Sequence, residues 1–359
     1  MRSLGLVVGL VVVFALALEI ATRVDDAIRF GTPIFSRIES ESDLLVRDAA
    51  GEHGRPHARY GKWVINNVGM RGPDVDSIKP PGILRIVTAG ASETFGLYES
   101  PGREFPRQLE DTLRARLGPR VEVLNAAIFG MTLPTLEQDL RLRVRPLHPD
   151  VVVLYPTPVQ YLNEELPRPA EPDSGASGEL PFRDALYPRA MERLRNQAKA
   201  LLPGWLATSL RRDDIAREAR EHPAGWRFTG VPADRLAAYE GDLRRTIGTI
   251  RALGAVPVLA IHVNAFDQGG RLDEPMLVSW ENQYHRATGD VLIAFDAAAA
   301  RATVRAARDS SVTFVDLRRI HGSRMFADYA HFTDAGAAAV AGAIAPAVLA
   351  ASAVQAASR

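Results

Sequence analysis

Short apolar segments alternate with longer amphipathic segments over most of this 359-residue chain, and this alternation restricts its fold more than any other feature. The apolar segments are nearly continuous, as strands are when both faces of a sheet are covered. The predicted strands are Ile83–Ala89, Val121–Ala127, Val151–Tyr155, Val256–Val263 and Val312–Leu317. The predicted helices are Glu104–Leu117, Leu136–Val144, Asp234–Leu253, Gln283–Ala307 and one that starts near Asp334. The pattern predicts an α/β fold, a three-layer α/β/α sandwich on a parallel sheet of about five strands.

The carboxyl ends of the predicted strands are where a ligand site is expected. In parallel sheets flanked by helices, ligands bind in the crevice outside these ends. Ser92, the segment Asn125–Gly130 and the segment Pro156–Asn163 each follow a predicted strand directly. We therefore expect these three segments to meet at one edge of the sheet.

The N-terminus carries a targeting signal. A cationic start at Arg2 precedes an uninterrupted apolar run from Leu4 to Leu18, so residues 1–24 are predicted to be a signal anchor or a signal peptide. Ala15-Leu16-Ala17 fits a cleavage site, whereas helical apolar spacing without proline or glycine continues from Leu18 to Phe30. We favour a retained single-pass anchor with the remaining chain outside the cytoplasm. The alternative is a secreted or periplasmic protein after cleavage.

Three further regions follow the N-terminal segment. Residues 25–81 have no long period and are predicted to form an N-terminal arm, and residues 82–352 are predicted to form the α/β domain. The stretch 165–230 interrupts the alternation with a loop rich in proline, glycine and serine, and then with arginine-rich helical segments around Tyr187–Leu202 and Leu206–Glu221. This insertion is predicted to cover the site as a lid or substrate-binding element, or to bind a partner.

Composition excludes several classes of function. Lys plus Arg (43) equals Asp plus Glu (43), so no net field attracts nucleic acid. The chain has no cysteine, which excludes disulfides, thiolate catalysis and cysteine-ligated metals. No pattern of histidines and carboxylates completes a metal site, and no organic cofactor is implied. The expected partners are a small-molecule or glycan substrate and a membrane.

Ser92 lies in Thr88–Gly96, where a buried strand is expected to break into a loop. A serine after a strand is more often a plain turn or a helix cap than a nucleophile. A Walker phosphate loop is excluded because no lysine follows Gly96. The nucleophile elbow of α/β-hydrolases is excluded because Thr94 stands where that turn needs glycine.

A distant acid–imidazole pair gives Ser92 its significance. Only two residues separate Asp328 from His331, so the carboxylate can reach Nδ1 and leave Nε2 to accept the serine proton. Thr333 is a plausible N-cap that fixes this loop at the start of the last helix. His262, at the end of a strand, is interpreted as a pocket-edge residue rather than a second base. We therefore predict a catalytic triad of Ser92, His331 and Asp328.

Together these segments resemble the SGNH (GDSL-like) hydrolase family. Gly90–Gly96 is similar to its first block, with Ala91 in place of the usual aspartate, and Asn125–Gly130 is similar to its second. Asp328–His331 matches its fifth block. The arm segment Asn66–Pro73 and the apolar N-terminus are similar to those of membrane-anchored bacterial members. The resemblance runs from about residue 83 to the C-terminus, apart from the insertion.

The third block departs from the family. The resemblance implies an oxyanion hole formed by the backbone N–H groups of Ser92 and Gly130 and by an asparagine side chain after the third strand. Val159 occupies the asparagine position and has no hydrogen to donate. Losing one such donor costs about a hundred- to a thousandfold in turnover. The candidate replacement donors are Thr157, Gln160 and Asn163.

The resemblance implies a serine esterase that cleaves an oxygen ester through an acyl-enzyme, with an acetylated carbohydrate or a lipid ester as the substrate class. Two alternatives remain open at this point. One is an O-acyltransferase that acts on envelope polysaccharide with the same three residues. The other, suggested by Val159, is a catalytically weakened binding protein on the same scaffold.

Overall fold

The N-terminal part of the chain forms one long helix and two short hairpins. The computed structural model describes residues 2–31, 34–35, 44–170, 189–267, 273–322 and 324–357. Helix α1 spans Arg2–Phe30. The arm pairs β1 (Leu45–Asp48) with β2 (Gly51–Gly54), and β3 (Arg59–Tyr60) with β4 (Trp63–Val64), both antiparallel.

A five-stranded parallel sheet forms the centre of the α/β domain, as predicted. Its strands are β5 (Leu84–Gly90), β6 (Val121–Asn125), β7 (Val151–Tyr155), β8 (Val256–Ile261) and β9 (Thr313–Asp316). They are arranged in the order β6-β5-β7-β8-β9. The direction in which successive strands are added to the sheet therefore reverses at β5, which lies between β6 and β7. This is the flavodoxin-like order. A ligand crevice is expected at the carboxyl ends of β5 and β7.

Helices cover both faces of the sheet and complete three layers. The helices that follow α1 are α2 (Ser92–Phe95), α3 (Phe105–Leu117), α4 (Leu133–Asp139), α5 (Arg189–Ala200), α6 (Gly204–Glu221), α7 (Ala233–Ala252), α8 (Glu274–Gln283), α9 (Gly289–Asp309) and α10 (Asp334–Ala357). On one face, α3 packs against α10 and β6. On the other face, α7 packs against α4 and α9. The predicted three-layer architecture is confirmed.

Two predicted helices differ from the observed ones. The helix expected at Leu136–Val144 begins earlier, at Leu133, and its last turn is a π-helix over Leu140–Val144. The helix expected at Gln283–Ala307 is two helices, because α8 ends at Gln283 and α9 starts at Gly289. The Thr288 hydroxyl accepts the Val291 N–H at 3.4 Å and so begins α9 with a local cap. Because the apolar spacing of the sequence continues through this break, the sequence predicted one helix where the structure has two.

The insertion contains the two expected helices, α5 and α6. Residues 171–188, which include most of the predicted polar loop and Tyr187, lie outside the described residues. Helix α5 contacts α1: Arg193 donates to Asp25 and Asp26 at 2.6 and 2.7 Å, and Glu19 accepts the Ala190 N–H at 2.9 Å. These contacts involve residues of α1 that follow Ala17, so either fate of the N-terminal segment preserves them.

Within the described ranges, two helices are long and apolar enough to cross a membrane by length and composition. In Gly5–Phe30 the mean hydropathy is 2.4 and 6% of the apolar window is buried. In Asp334–Ala357 the mean hydropathy is 2.0 and 39% of the window is buried. The second helix is α10, whose buried side chains pack on α3 and the sheet, as those of a core helix do. The apolar part of α1 has no such packing within the described residues.

Candidate active site

Ser92 is the first residue of α2, directly beyond the carboxyl end of β5. Its side chain is half-buried, whereas its neighbours Ala91 and Glu93 are buried. Gly90 makes the turn possible, because a Cβ there would overlap the Thr94 side chain and lie 2.8 Å from the Tyr155 carbonyl oxygen. The serine hydroxyl therefore lies at the carboxyl ends of the strands, where the crevice was expected.

Two distant segments hold α2 in place. The Arg71 guanidinium, from the arm, is buried and donates to the carbonyl oxygens of Phe95 and Gly96 at the end of α2, and to Glu104 at 3.3 Å. The Asn125 side chain, at the end of β6, donates to the Thr94 carbonyl oxygen at 3.0 Å. Arg71 thus ties the arm to the domain.

Asp328 and His331 form a close pair in the loop before α10. The Asp328 carboxylate lies 2.9 and 2.8 Å from Nδ1 of His331 and also accepts the Ala330 and His331 backbone N–H groups. These contacts fix the tautomer with the proton on Nδ1. Nε2 of His331 is buried and has no hydrogen-bond partner among the described residues. The Thr333 hydroxyl accepts the Gly336 N–H at 3.2 Å and caps α10, as expected.

Burial and charge act in opposite directions on this pair. Burial lowers the pKa of His331, but the Asp328 hydrogen bond and the charges of Glu93, Asp328 and Glu99 outweigh it, so the pKa lies above its usual value. Burial raises the pKa of Asp328, but its bonds to His331 and to the backbone hold that pKa below its usual value. The arrangement favours an ionised Asp328 beside an imidazole that readily accepts a proton.

The Ser92 hydroxyl donates to Glu93, whereas sequence reasoning expected it on His331. The distance from Oγ to Oε2 of Glu93 is 3.2 Å. A carboxylate is a stronger acceptor than a neutral imidazole, which explains this preference. His331 is nevertheless near, since its charge lowers the pKa of Glu93 and the charge of Glu93 raises that of His331. The structure brings Ser92, Asp328 and His331 to one edge of the sheet.

Glu93 begins a buried polar network that sequence reasoning missed. The Thr157 hydroxyl donates to both carboxylate oxygens at 3.2 and 3.0 Å, and Nε2 of His262 lies 3.4 Å from Oε1. Nδ1 of His262 lies 2.7 Å from Oδ1 of Asp296, whose other oxygen accepts from Asn264 at 2.9 Å. His262 is only 2% exposed, so its interpretation as a pocket-edge residue is corrected: it bridges two buried carboxylates.

The protonation states of the network follow from its charges. Burial lowers the pKa of His262, but Asp296 and Glu93 raise it to about 10. Burial raises the pKa of Glu93, but His262 and His331 lower it to about 2. His262 is therefore cationic and Glu93 anionic at neutral pH. The sequence around Asp296 could have indicated that this residue belongs to the network, because a charged residue there follows Phe295 on the buried face of α9.

The backbone N–H groups predicted to form an oxyanion hole belong to Ser92 and Gly130. The N–H groups of Ser92 and Gly130 have no acceptor within the described part of the chain. Gly130 is exposed and has a φ of 81°, which favours glycine. The residue before it, Phe129, packs edge-on against Phe95 of α2, with ring centroids 5.6 Å apart. The loop after β6 therefore lies beside the short helix that begins with Ser92.

The three candidate side-chain donors after β7 differ in their surroundings. Val159 is 2% exposed in the apolar core, which removes its position from the crevice. The Thr157 hydroxyl is engaged by Glu93. Asn163 is exposed at the end of a 3₁₀ helix that spans Pro158–Leu162. Gln160 is a buried residue of the same 3₁₀ helix, 8% exposed.

Among the described ranges, no group of three or more histidine, aspartate or glutamate side chains could hold a metal ion. The charge of His262 is instead compensated by its ion pairs with Glu93 and Asp296. The chemistry open to this site is that of a serine, an imidazole and carboxylates.

Several solved structures are similar to this chain in fold, at low identity. One is LAE5, an α/β hydrolase from the metagenome of Lake Arreo, with 15% identity, 76% of this chain and 96% of that chain covered, and a TM-score of 0.42. An acetyl xylan esterase from Geobacillus stearothermophilus has 15% identity, 76% and 97% coverage, and a TM-score of 0.41. A GDSL-like lipase from Bacteroides thetaiotaomicron has 13% identity, 75% and 89% coverage, and a TM-score of 0.39.

No protein-family model matches the sequence, and no curated protein does. The functional assignment therefore rests on the residues of this chain.

Proposed function

We propose that this protein is a serine ester hydrolase in which Ser92 is the nucleophile, His331 the general base and Asp328 the group that orients the imidazole. The observation that carries the proposal is the Asp328–His331 pair: Nδ1 is bound by the carboxylate at 2.8 Å, and the buried Nε2 bonds to no described residue. An imidazole so arranged has one free acceptor, and it lies at the strand edge where Ser92 is presented.

In the proposed mechanism the Ser92 hydroxyl turns from Glu93 to Nε2 of His331 when substrate enters. His331 takes the hydroxyl proton as Oγ attacks the ester carbonyl carbon, and Asp328 stabilises the imidazolium. His331 then gives this proton to the leaving alcohol, and the acyl group stays on Oγ. Water, deprotonated by His331, attacks the acyl-enzyme and releases the acid and free Ser92.

The oxyanion is proposed to accept hydrogen bonds from the Ser92 and Gly130 N–H groups and from the Gln160 amide. Gln160 is preferred over Thr157 and Asn163 because it is buried, whereas Thr157 already donates to Glu93 and Asn163 is exposed. Gln160→Ala should lower kcat by about a hundred- to a thousandfold. Asn163→Ala is the matched control and should leave kcat unchanged; equal effects of both substitutions would refute this role of Gln160.

The proposed substrate class is an acetylated carbohydrate or a lipid ester, as the resemblance of the three sequence blocks implies. The proposed location is the extracytoplasmic face of a membrane, with α1 as a single-pass anchor. Support for the anchor comes from its composition and from the low burial of its apolar window. Secretion after cleavage is the alternative fate of the same segment.

Covalent labelling tests the proposal directly. A fluorophosphonate probe should modify Ser92 stoichiometrically, and Ser92→Ala should abolish both labelling and hydrolysis of p-nitrophenyl acetate without changing the thermal unfolding temperature. A wild-type protein that neither labels nor hydrolyses would favour a binding protein on this scaffold. Addition of an acceptor sugar separates hydrolysis from acyl transfer, because a transferase produces the acylated sugar at the expense of free acid.

A further inference from the structure

A second carboxylate, besides Asp328, lies at the candidate site and contacts the Ser92 hydroxyl. Glu93 follows Ser92 in α2, is 2% exposed and accepts the Ser92 hydroxyl at 3.2 Å. An isolated buried carboxylate is costly, so a glutamate at this position needs compensation from the rest of the fold. That compensation comes from three separate segments.

Side chains from these segments contact Glu93 directly or hold His262, which contacts it. Thr157, after β7, donates a hydrogen bond, and His262, after β8, supplies a cation. Asp296, on α9, fixes the far nitrogen of His262, and the Tyr155 ring stacks on the imidazole with centroids 5.5 Å apart. The imidazole thus has a carboxylate at each nitrogen and an aromatic ring on one face. This construction holds the carboxylate of Glu93 in one orientation, with Oε2 toward Ser92.

We propose that Glu93 is a positioning residue for the nucleophile, which holds the Ser92 hydroxyl before substrate binds. The charge of Glu93 also acts on the base, because together with Asp328 it raises the pKa of His331. This role rests on the proposed hydrolase function. Glu93 stays ionised throughout the reaction, because the Ser92 proton passes to His331 and not to the carboxylate. His262 and Asp296 keep Glu93 ionised and fixed.

Several charged and titratable groups surround His331, and others surround Glu93 and His262. The charged and titratable groups around His331 are Asp328 in its own loop, Glu93 in α2, Glu99 after α2, and the phenols of Tyr98 and Tyr329. Those around Glu93 and His262 are Tyr155, Asp267, Tyr284, Asp296 and Tyr329. The pKa of Glu99 is raised to about 7, mainly by burial, so its charge near His331 is partial at neutral pH. Glu93 and Asp328 are therefore the two full negative charges beside the base.

The test compares Glu93→Gln, which keeps the shape and removes the charge, with Glu93→Asp, which keeps the charge. Both are measured in the full-length protein in detergent. For Glu93→Gln, the acid limb of the kcat/KM profile for p-nitrophenyl acetate should move down by about 0.5–1 pH unit, because an opposite charge near the imidazole is lost. Its kcat should fall about 10- to 100-fold through misplacement of Oγ, with KM within about threefold of wild type. Glu93→Asp should keep the wild-type acid limb.

A Glu93→Gln enzyme with the wild-type acid limb and kcat would overturn the proposal. Titration of the His331 imidazole by NMR gives a readout that does not need turnover. If the wild type neither labels nor hydrolyses, the hydrolase function fails, while a lowered His331 pKa in Glu93→Gln still supports the effect of Glu93. If Glu93→Gln does not fold, the wild-type titration decides, because a His262 that is neutral at pH 7 would contradict the arrangement.

Discussion

Position 159 offers the sharpest test of how the oxyanion hole is built. The family resemblance places an asparagine there, so Val159→Asn would restore the family donor if position 159 faced the crevice. In the structure Val159 is 2% exposed within the core that α7 and α9 share with the sheet. The asparagine amide would enter an apolar environment, and we expect the substitution to destabilise the protein without raising its activity.

The magnitude follows from two losses. Removing the valine side chain from the core costs about 1–2 kcal/mol of apolar burial. Burying an amide without partners costs about 1–3 kcal/mol more. The sum, about 2–5 kcal/mol, corresponds to a decrease in Tm of roughly 5–15 °C for a domain of this size.

Thermal unfolding by circular dichroism and hydrolysis of p-nitrophenyl acetate check the two parts separately. Val159→Ala is the matched control, since it loses apolar burial but adds no polar group and should therefore be destabilised less than Val159→Asn. If Val159→Asn keeps the wild-type Tm and raises kcat/KM tenfold or more, position 159 lies in the oxyanion hole and the role given to Gln160 is refuted.

Four further outcomes are expected. Arg71→Ala leaves Glu104 buried without its cation, so the free energy of unfolding in urea should fall by about 3–5 kcal/mol; an unchanged value would show that the arm is not held through this residue. Asp328→Asn should lower kcat by about 10³–10⁴-fold with KM little changed. Because the pKa of His331 is raised and catalysis needs its neutral form, the acid limb of wild-type kcat/KM should lie above pH 6.5, and a lower limb would contradict the charge environment. Deletion of residues 1–18 should move the protein from the membrane fraction to the soluble fraction, and a truncated protein that still sediments with membranes would show a second membrane contact.

The sheet and most helices were predictable because their signals are local. A buried parallel strand is apolar throughout, and all five segments with this pattern are strands. The end of α8 and the start of α9 were not predicted, although Thr288 is a favoured N-cap residue, because apolar spacing continued through the break. Helix boundaries depend on a few capping contacts, which weigh little against a long periodic pattern.

The site was predictable to the extent that its residues are adjacent in sequence. Asp328 and His331 are three positions apart, and their contact could be deduced from that spacing. The contacts of Glu93 with His262, and of His262 with Asp296, join residues far apart in the chain and depend on the strand order β5-β7-β8, which the sequence does not state. The role proposed for Gln160 depends on the orientation of the 3₁₀ helix Pro158–Leu162, and tertiary packing decides that orientation.

The position of Ser92 is a property of the whole domain and not of its motif. Helix α2 has four residues, and so short a helix is not stable by itself. Its carbonyl end is held by Arg71 from the arm and by Asn125 from β6, and its start requires the close packing at Gly90. Changes in the arm, far from Ser92 in sequence, should therefore lower turnover by moving Oγ, even where they leave the Asp328–His331 pair intact.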